Sequence, residues 1–224
     1  MTFSRNLTLL FLFNLVAGCS QSSTTKPTES TELSTMITQP QPTPVLDTVY
    51  FGAGCFWCIE AIFQQLDGVL SVSSGYTGGT VKNPSYREVC TGTTGHAEVA
   101  QIIYQPEKIT FDELLEVFWQ THDGTSLNRQ GADVGTQYRS AVFHTSPIQK
   151  EKAEKYKAEL NKAGAFDKPL VTEISQFDGA FYMAEDYHQN YYNQNKEQGY
   201  CTMVIKPKVE KFQKVFNHKL KGNK

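Results

Sequence analysis

Two cysteines spaced i and i+3, Cys55 and Cys58, are the residues of this chain whose types and spacing point most directly to chemistry. An apolar run precedes them and ends at Gly52-Ala53-Gly54, and Ile59, Ile62, Phe63 and Leu66 then recur at helical spacing. The pair is therefore expected on the first turn of a helix at a strand-to-helix junction, where free backbone N–H groups and the helix dipole favour an anion. A thiolate there would be a nucleophile for acyl, sulfur or disulfide chemistry. Spacing alone leaves four readings open: a zinc site, a thioredoxin-like dithiol, two buried structural thiols, or a nucleophile of another kind. A zinc site wants four ligands, and no second C-x-x-C or paired histidine is near enough in sequence to complete one, so no metal is expected. Phe56 and Trp57 are large and apolar beside the sulfur, and the glycines before them let a ligand approach the backbone, which suits a binding pocket.

The elements that must position this pair belong to a chain of 224 residues, enough for one domain with appendages. With 39% apolar, 12% aromatic and 20% charged residues, the composition is that of a globular protein and argues against a wholly disordered or polytopic membrane chain. Basic and acidic residues number 21 and 23, so nothing in the net charge of −2 suggests a nucleic-acid partner. The five cysteines, at 19, 55, 58, 90 and 201, are too few and too unevenly spaced for a disulfide lattice and read as individually employed.

Residues 1–18 read as a signal peptide: Arg5, then an apolar stretch from Leu7 to Ala17 broken by Asn14, too short to span a membrane as a mature helix. The run Leu15-Val16-Ala17-Gly18-Cys19 resembles a bacterial lipobox. That resemblance implies a lipidated Cys19 as mature N-terminus and an exported protein anchored to a bacterial membrane. Ser20 stands where an inner-membrane retention signal has Asp, so the outer membrane is favoured if there are two. Of the 25 residues from 20 to 44, 19 are Ser, Thr, Pro or Gln, too polar a stretch to offset its ordering entropy. Residues 19–44 are accordingly expected to be a disordered tether, with a span of roughly 25–30 Å, and 45–224 the folded domain.

Within that domain, strands are predicted at Val45–Phe51, Val69–Ser73, Glu98–Tyr104, Tyr138–Phe143 and Leu170–Ser175. A long loop with Gly75, Gly78, Gly79 and Pro84 separates the second from the third. Thr110 and Glu113 form a capping box ahead of Phe111, Leu114, Leu115, Phe118 and Trp119 at helical spacing. Ser146-Pro147 with Gln149 opens a helix to Gly164, and Val209, Phe212, Val215 and Phe216 mark one face of a helix from Pro207 to about Leu220. The seven lysines from 206 to 224 read as a solvated face. Strands and helices mix without strict alternation, so the fold class is α+β.

Six blocks in order carry a family resemblance: Gly54–Glu60, Gly75–Gly79, Asn83–Val89, Thr94–Glu98, Arg129–Ser140 and Ala184–Gln189. Together they resemble peptide methionine sulfoxide reductase A from about Val49 to Cys201. The resemblance implies a two-layer α+β core with a split βαβ (ferredoxin-like) arrangement and a long irregular C-terminal segment. It implies thiol-dependent reduction of methionine S-sulfoxide in peptides and proteins, with no cofactor. Cys55 would be the nucleophile, Glu98 the acid for the departing oxygen, Tyr86 and Tyr138 the phenols that hold that oxygen, and Asp133 a supporting residue. Phe56 and Trp57 would line the pocket for the substrate methyl group. The chemistry asks for such groups independently: a sulfoxide oxygen leaves poorly, so a proton must arrive with the thiolate attack, and burial must lift a carboxyl's pKa for it to supply one.

After attack Cys55 would be a sulfenic acid that a second thiol condenses with. Cys201, after Gly199-Tyr200, is favoured over Cys58 for this resolving role, and no further cysteine follows to relay the disulfide outward. Cys90 reads as a buried bystander, His96 and His122 as structural hydrogen bonders, and Asp186 and His188 as parts of the site wall. The expected partners are oxidised proteins and peptides, a thioredoxin-like reductant outside the cytoplasm, and a membrane through Cys19, with the protein itself a monomer. A thiol–disulfide oxidoreductase using Cys55–Cys58 is the alternative enzyme, and a ligand-binding lipoprotein the non-enzymatic one.

Overall fold

The structure, a computed structural model, describes residues 44–223. The signal peptide, Cys19 and the tether up to residue 43 lie outside the described residues. The described chain is built on one six-stranded sheet: β1 (Asp47–Ala53), β2 (Val69–Thr77), β3 (Ala97–Tyr104), β6 (Ser140–His144), β7 (Glu173–Gln176) and β8 (Tyr182–Met183). Their order is β7-β6-β1-β3-β2-β8, with every pairing antiparallel except β6 with β7. A separate hairpin pairs β4 (Arg129–Gln130) with β5 (Asp133–Val134). The helices are α1 (Phe56–Phe63), α2 (Tyr86–Cys90), α3 (Phe111–Thr121), α4 (Pro147–Lys162), α5 (Tyr191–Gln194) and α6 (Lys206–Val215). This is a mixed α/β fold on a central mixed sheet, in which β1 and β2, joined through α1, are separated by β3.

β1 reads as a continuous apolar run because both of its faces are covered. Phe51 packs under the helices, its ring 4.7 Å from Phe118 and 5.5 Å from Phe63, whereas Tyr50 on the other face stacks on Phe177 at 4.1 Å. α3 begins at the expected capping box, with the Thr110 hydroxyl accepting from the Glu113 N–H and the Glu113 carboxylate accepting from the Thr110 N–H. It buries Phe111, Leu114, Leu115, Phe118 and Trp119 against the sheet, each contributing about 1.5–3 kcal/mol in area removed from water.

Element boundaries moved where pairing, not pattern, decides them. β1 runs to Ala53 because its end pairs with Ser140 of β6, and β2 continues to Thr77 because β3 pairs with it as far as Ala97. The long glycine loop thus shrinks, and part of it is helix: Ser85 and Glu88 make a second capping box that starts α2. Tyr138 stands in a 3-10 turn (Thr136–Tyr138) ahead of β6, and β7 starts three residues later than predicted, where its parallel register with β6 begins. The C-terminal helix ends at Val215, and a turn of π-helix, Cys201–Ile205, leads directly into it.

Candidate active site

β1 delivers the chain through Gly54 to Cys55, which is the N-cap of α1. Gly54 has a φ of +85°, and a Cβ there would lie 2.5 Å from the Gln130 side chain, so this turn needs glycine twice over. α1 has no acidic residue in its first turn, and its first N–H, from Phe56, donates instead to Glu98 Oε2 at 3.1 Å. Glu98 comes from β3, 42 residues along the chain, and is 1% exposed. A carboxyl is thereby fixed beside the residue that follows Cys55. Burial pushes the Glu98 pKa up to about 8, against the pull of the Phe56 N–H and with help from the negative charges at Asp133 and Cys58.

Cys55 and Cys58 are hydrogen-bonded to each other inside the protein, and both are free thiols. The expectation of a thiolate at Cys55 changes here. Burial raises the Cys55 thiol well above its ordinary range, with the hydrogen bond to Cys58 and the charge of Glu98 adding; only the Trp57 N–H works the other way. Cys58 is lowered by the hydrogen bond from Cys55 and by the Lys208 ammonium and Tyr200 hydroxyl, although burial and Asp133 oppose this. The dipole favours an anion at the helix start, but desolvation outweighs it at Cys55, and Cys58 is the more acidic thiol of the pair.

Tyr138 and Tyr86 reach the same region. Burial raises both phenols, and the charge of Glu98 acts on each, so both stay protonated donors at neutral pH. The Tyr86 hydroxyl is hydrogen-bonded to the Cys90 sulfur. Asp133, on β5, accepts from the Tyr200 hydroxyl at 2.6 Å. Tyr200 also faces Cys55 and Cys58, whose charges raise it along with burial. No sequence pattern marks Tyr200; its position just before Cys201 is its one signal.

Phe56 and Trp57 sit against an aromatic wall, though not equally. Phe56 is 1% exposed and lies 5.1 Å from His188 and 6.5 Å from Tyr86. Trp57 is half-buried, stacks on Tyr191 at 3.7 Å and donates from Nε1 to His188 Nδ1 at 3.2 Å. The wall is the segment after β8, held down by Glu60, whose Oε1 accepts from the Asn190 N–H at 2.8 Å, and by Gln189, which extends β2 by bonding both backbone groups of Ser74. Asp186, expected in the wall, is exposed instead. The carboxylate that turns inward is its neighbour Glu185, which accepts from the Tyr86 N–H at 2.8 Å and the Tyr76 hydroxyl at 3.1 Å. A 3-10 turn at Asp186–His188 inverts the two directions, which no periodicity in the sequence announced.

Cys90 closes α2 and is exposed, correcting the expectation that it is buried: the helix places it on the outer side of Tyr86. Cys201 is fully buried, and the charge it senses is that of Cys58. His96 bonds the Gly79 N–H and the Val81 carbonyl; His122 bonds the Phe118 carbonyl and the Ser140 hydroxyl, and burial holds its pKa down to about 4. Among the described residues no group of three His, Cys, Asp or Glu side chains comes together that could hold a metal.

The Glu98 pKa has a consequence for stability. The native state keeps this proton to about pH 8, whereas the unfolded chain releases it in the ordinary carboxylate range, so over that interval the native state binds more protons. Stability therefore falls as pH rises from about 4.5 to 8. Thermal melting at several pH values should show the wild type losing ground to Glu98→Gln across this window; parallel curves would contradict the buried, protonated carboxyl.

Residues 47–220 match the family model described as peptide methionine sulfoxide reductase. The chain is 51% identical over 181 residues to peptide methionine sulfoxide reductase MsrA of Deinococcus radiodurans, covering 81% of this chain and 87% of the relative. It is 50% identical over 173 residues to that of Natronomonas pharaonis, covering 77% and 97%. Among solved structures, methionine sulfoxide reductase A of Corynebacterium diphtheriae is 40% identical, with a TM-score of 0.62 covering 70% of this chain and 78% of the other. Mxr1 from Saccharomyces cerevisiae in reduced form is 34% identical, with a TM-score of 0.66 covering 72% and 91%.

Proposed function

From the premise that this chain belongs to the peptide methionine sulfoxide reductase family and is an oxidoreductase that reduces methionine sulfoxide, we propose the following course for the reaction. The substrate is the S-sulfoxide of methionine in oxidised peptides and proteins, its methyl group against Phe56 and Trp57. The Cys55 sulfur attacks the sulfoxide sulfur, passing its proton to Cys58, while Glu98 protonates the sulfoxide oxygen and Tyr86 and Tyr138 donate to it. The S–O bond breaks as the hydroxyl moves to Cys55. Methionine leaves, two electrons richer at sulfur, and Cys55 is left as a sulfenic acid. Asp133 and Tyr200, bonded to each other, flank the pair and position it.

The observation that carries this reading is the Glu98 carboxyl, buried, proton-bearing to about pH 8 and anchored on the Phe56 N–H directly after Cys55. Single-turnover reduction of each sulfoxide epimer, without added reductant, tests it. One equivalent of methionine is expected from the S epimer, and none if Cys55 is replaced; equal turnover of both epimers would overturn the assignment.

Electrostatics supports one resolving order: Cys55 and Cys58 each shift the other's acidity, and the charge that acts on Cys201 is that of Cys58. We therefore place Cys58 first, forming a Cys55–Cys58 disulfide, with Cys201 taking Cys58 over in a second exchange. A thioredoxin-like protein with a dithiol then restores the thiols. We also read the inner strand order β6-β1-β3-β2 as the split βαβ arrangement, and the whole as a monomer.

The address on the chain supports export as a lipoprotein, held to a bacterial membrane by a lipidated Cys19 and set off from it by the tether. The reductant would then act outside the cytoplasm. Incorporation of labelled palmitate into the wild type, lost in Cys19→Ala, is the expected result; label retained in that variant would remove the anchor from the proposal.

A further inference from the structure

Among the described lysines of the C-terminal segment, Lys219 is a surface-pairing one, bridging Glu113 and Glu116 at 2.7 and 3.8 Å. Lys208 differs. It is half-buried, forms no ion pair with a carboxylate among the described residues, and donates from Nζ to the Sγ of Cys58 at 3.8 Å. On its other side it borders a cleft of about 740 Å³ between α3, α4 and α6, lined also by Trp119, His122, Gln130 and Phe212. The ammonium thus spans from a buried sulfur to a solvent-open cleft.

We propose that Lys208 is a further catalytic residue of the resolving step: its ammonium beside the Cys58 sulfur favours loss of the proton that Cys58 took up in the first step, so that a thiolate attacks the Cys55 sulfenic acid. The inference rests on Cys58 being the first resolving thiol. In the resting pair, the hydrogen bond from the Cys55 S–H is the foremost stabiliser of a negative Cys58. Once Cys55 is oxidised that S–H no longer exists. The groups still facing Cys58 are then Lys208 on α6, the Tyr200 hydroxyl, and the opposing carboxylates of Asp133 on β5 and Glu98 on β3, with Cys201 on the π-helical turn. Tyr200 is already committed to Asp133 at 2.6 Å, which leaves Lys208 as the charge that can hold the anion. The step balances as a condensation. The S–S bond forms, the Cys55 S–OH bond breaks, and the hydroxyl leaves as water with the proton that Cys58 sheds; Cys58 is oxidised and the Cys55 sulfur reduced.

The test is single turnover with a free methionine sulfoxide peptide and no reductant, comparing wild type, Lys208→Met, Lys208→Gln and Lys208→Arg from about pH 5 to 9. Circular dichroism and thermal melting report folding of each variant, because methionine release itself involves Cys58 as the acceptor of the Cys55 proton; Lys208→Gln serves if Lys208→Met does not fold. Disulfide formation is followed by trapping residual sulfenic acid with a dione probe and by mass mapping. Removing an opposite charge at this distance should raise the pH midpoint of disulfide formation by about one unit or more. A thiolate of higher pKa is scarcer but more nucleophilic, with a Brønsted slope near 0.5. The neutral variants should therefore be about threefold slower than wild type below the midpoint and about threefold faster above it. Lys208→Arg should restore the wild-type midpoint. An unshifted midpoint, or slowing by one factor at every pH, overturns the assignment to Lys208. A first disulfide mapped to Cys55–Cys201 in the wild type, formed at an unchanged rate in Cys58→Ser, overturns the resolving order instead.

Discussion

Replacing Cys55 with Ser should abolish methionine release in a single turnover, a loss of more than about 10⁴-fold, the scale on which loss of a catalytic nucleophile is felt. The serine keeps the turn, the size and the hydrogen-bonding capacity of the side chain, so the fold should be preserved. It lacks the polarisable sulfur that attacks at a sulfoxide and can carry the departing oxygen as a sulfenic acid. Cys58 cannot substitute. It is 3% exposed, lies within α1 and not at its open end, and its sulfur faces Lys208. Methionine released at a rate close to wild type by this variant would mean that another group attacks, and the whole assignment of the site would fail with it.

Glu98→Gln should cost about 10²- to 10⁴-fold in the rate of methionine release, the range of positioned general-acid catalysis. The amide can still accept from the Phe56 N–H, so the start of α1 keeps its partner and the variant tests the proton alone. The pH profile makes the test sharper. In the wild type the acid form of Glu98 is the active one, so the rate of the first step falls as pH rises through about 8. The acid limb belongs to the Cys55–Cys58 pair, which must hold one negative charge, and its apparent pKa belongs to the pair and not to either sulfur. Glu98→Gln should keep the acid limb and lose the alkaline one. An alkaline limb that persists in the variant would assign the proton to another group, with Tyr138 and Tyr86 the next to examine.

The sequence alone placed the cysteine pair and its aromatic neighbours at the start of a helix because that information is local: Cys55, Phe56, Trp57 and Cys58 share one helical turn, and the apolar spacing of Ile59, Ile62 and Phe63 shows where the turn begins. Thr110 with Glu113 likewise fixed the start of α3, since a capping box closes within four residues. The six ordered blocks named the family for the same reason. Tertiary structure alone could decide ionisation, because the free energy of a charge depends on what surrounds it after folding. Only the burial of its side chain on β3 makes Glu98 an acid at neutral pH, and only desolvation of Cys55 together with the bond it makes to Cys58 leaves Cys58 the more acidic thiol. The same holds for direction. A sequence shows Glu185 and Asp186 as equivalent acids and Lys208 as one lysine of seven, whereas a 3-10 turn sends Glu185 inward and Asp186 outward, and α6 aims Lys208 at a sulfur 150 residues away.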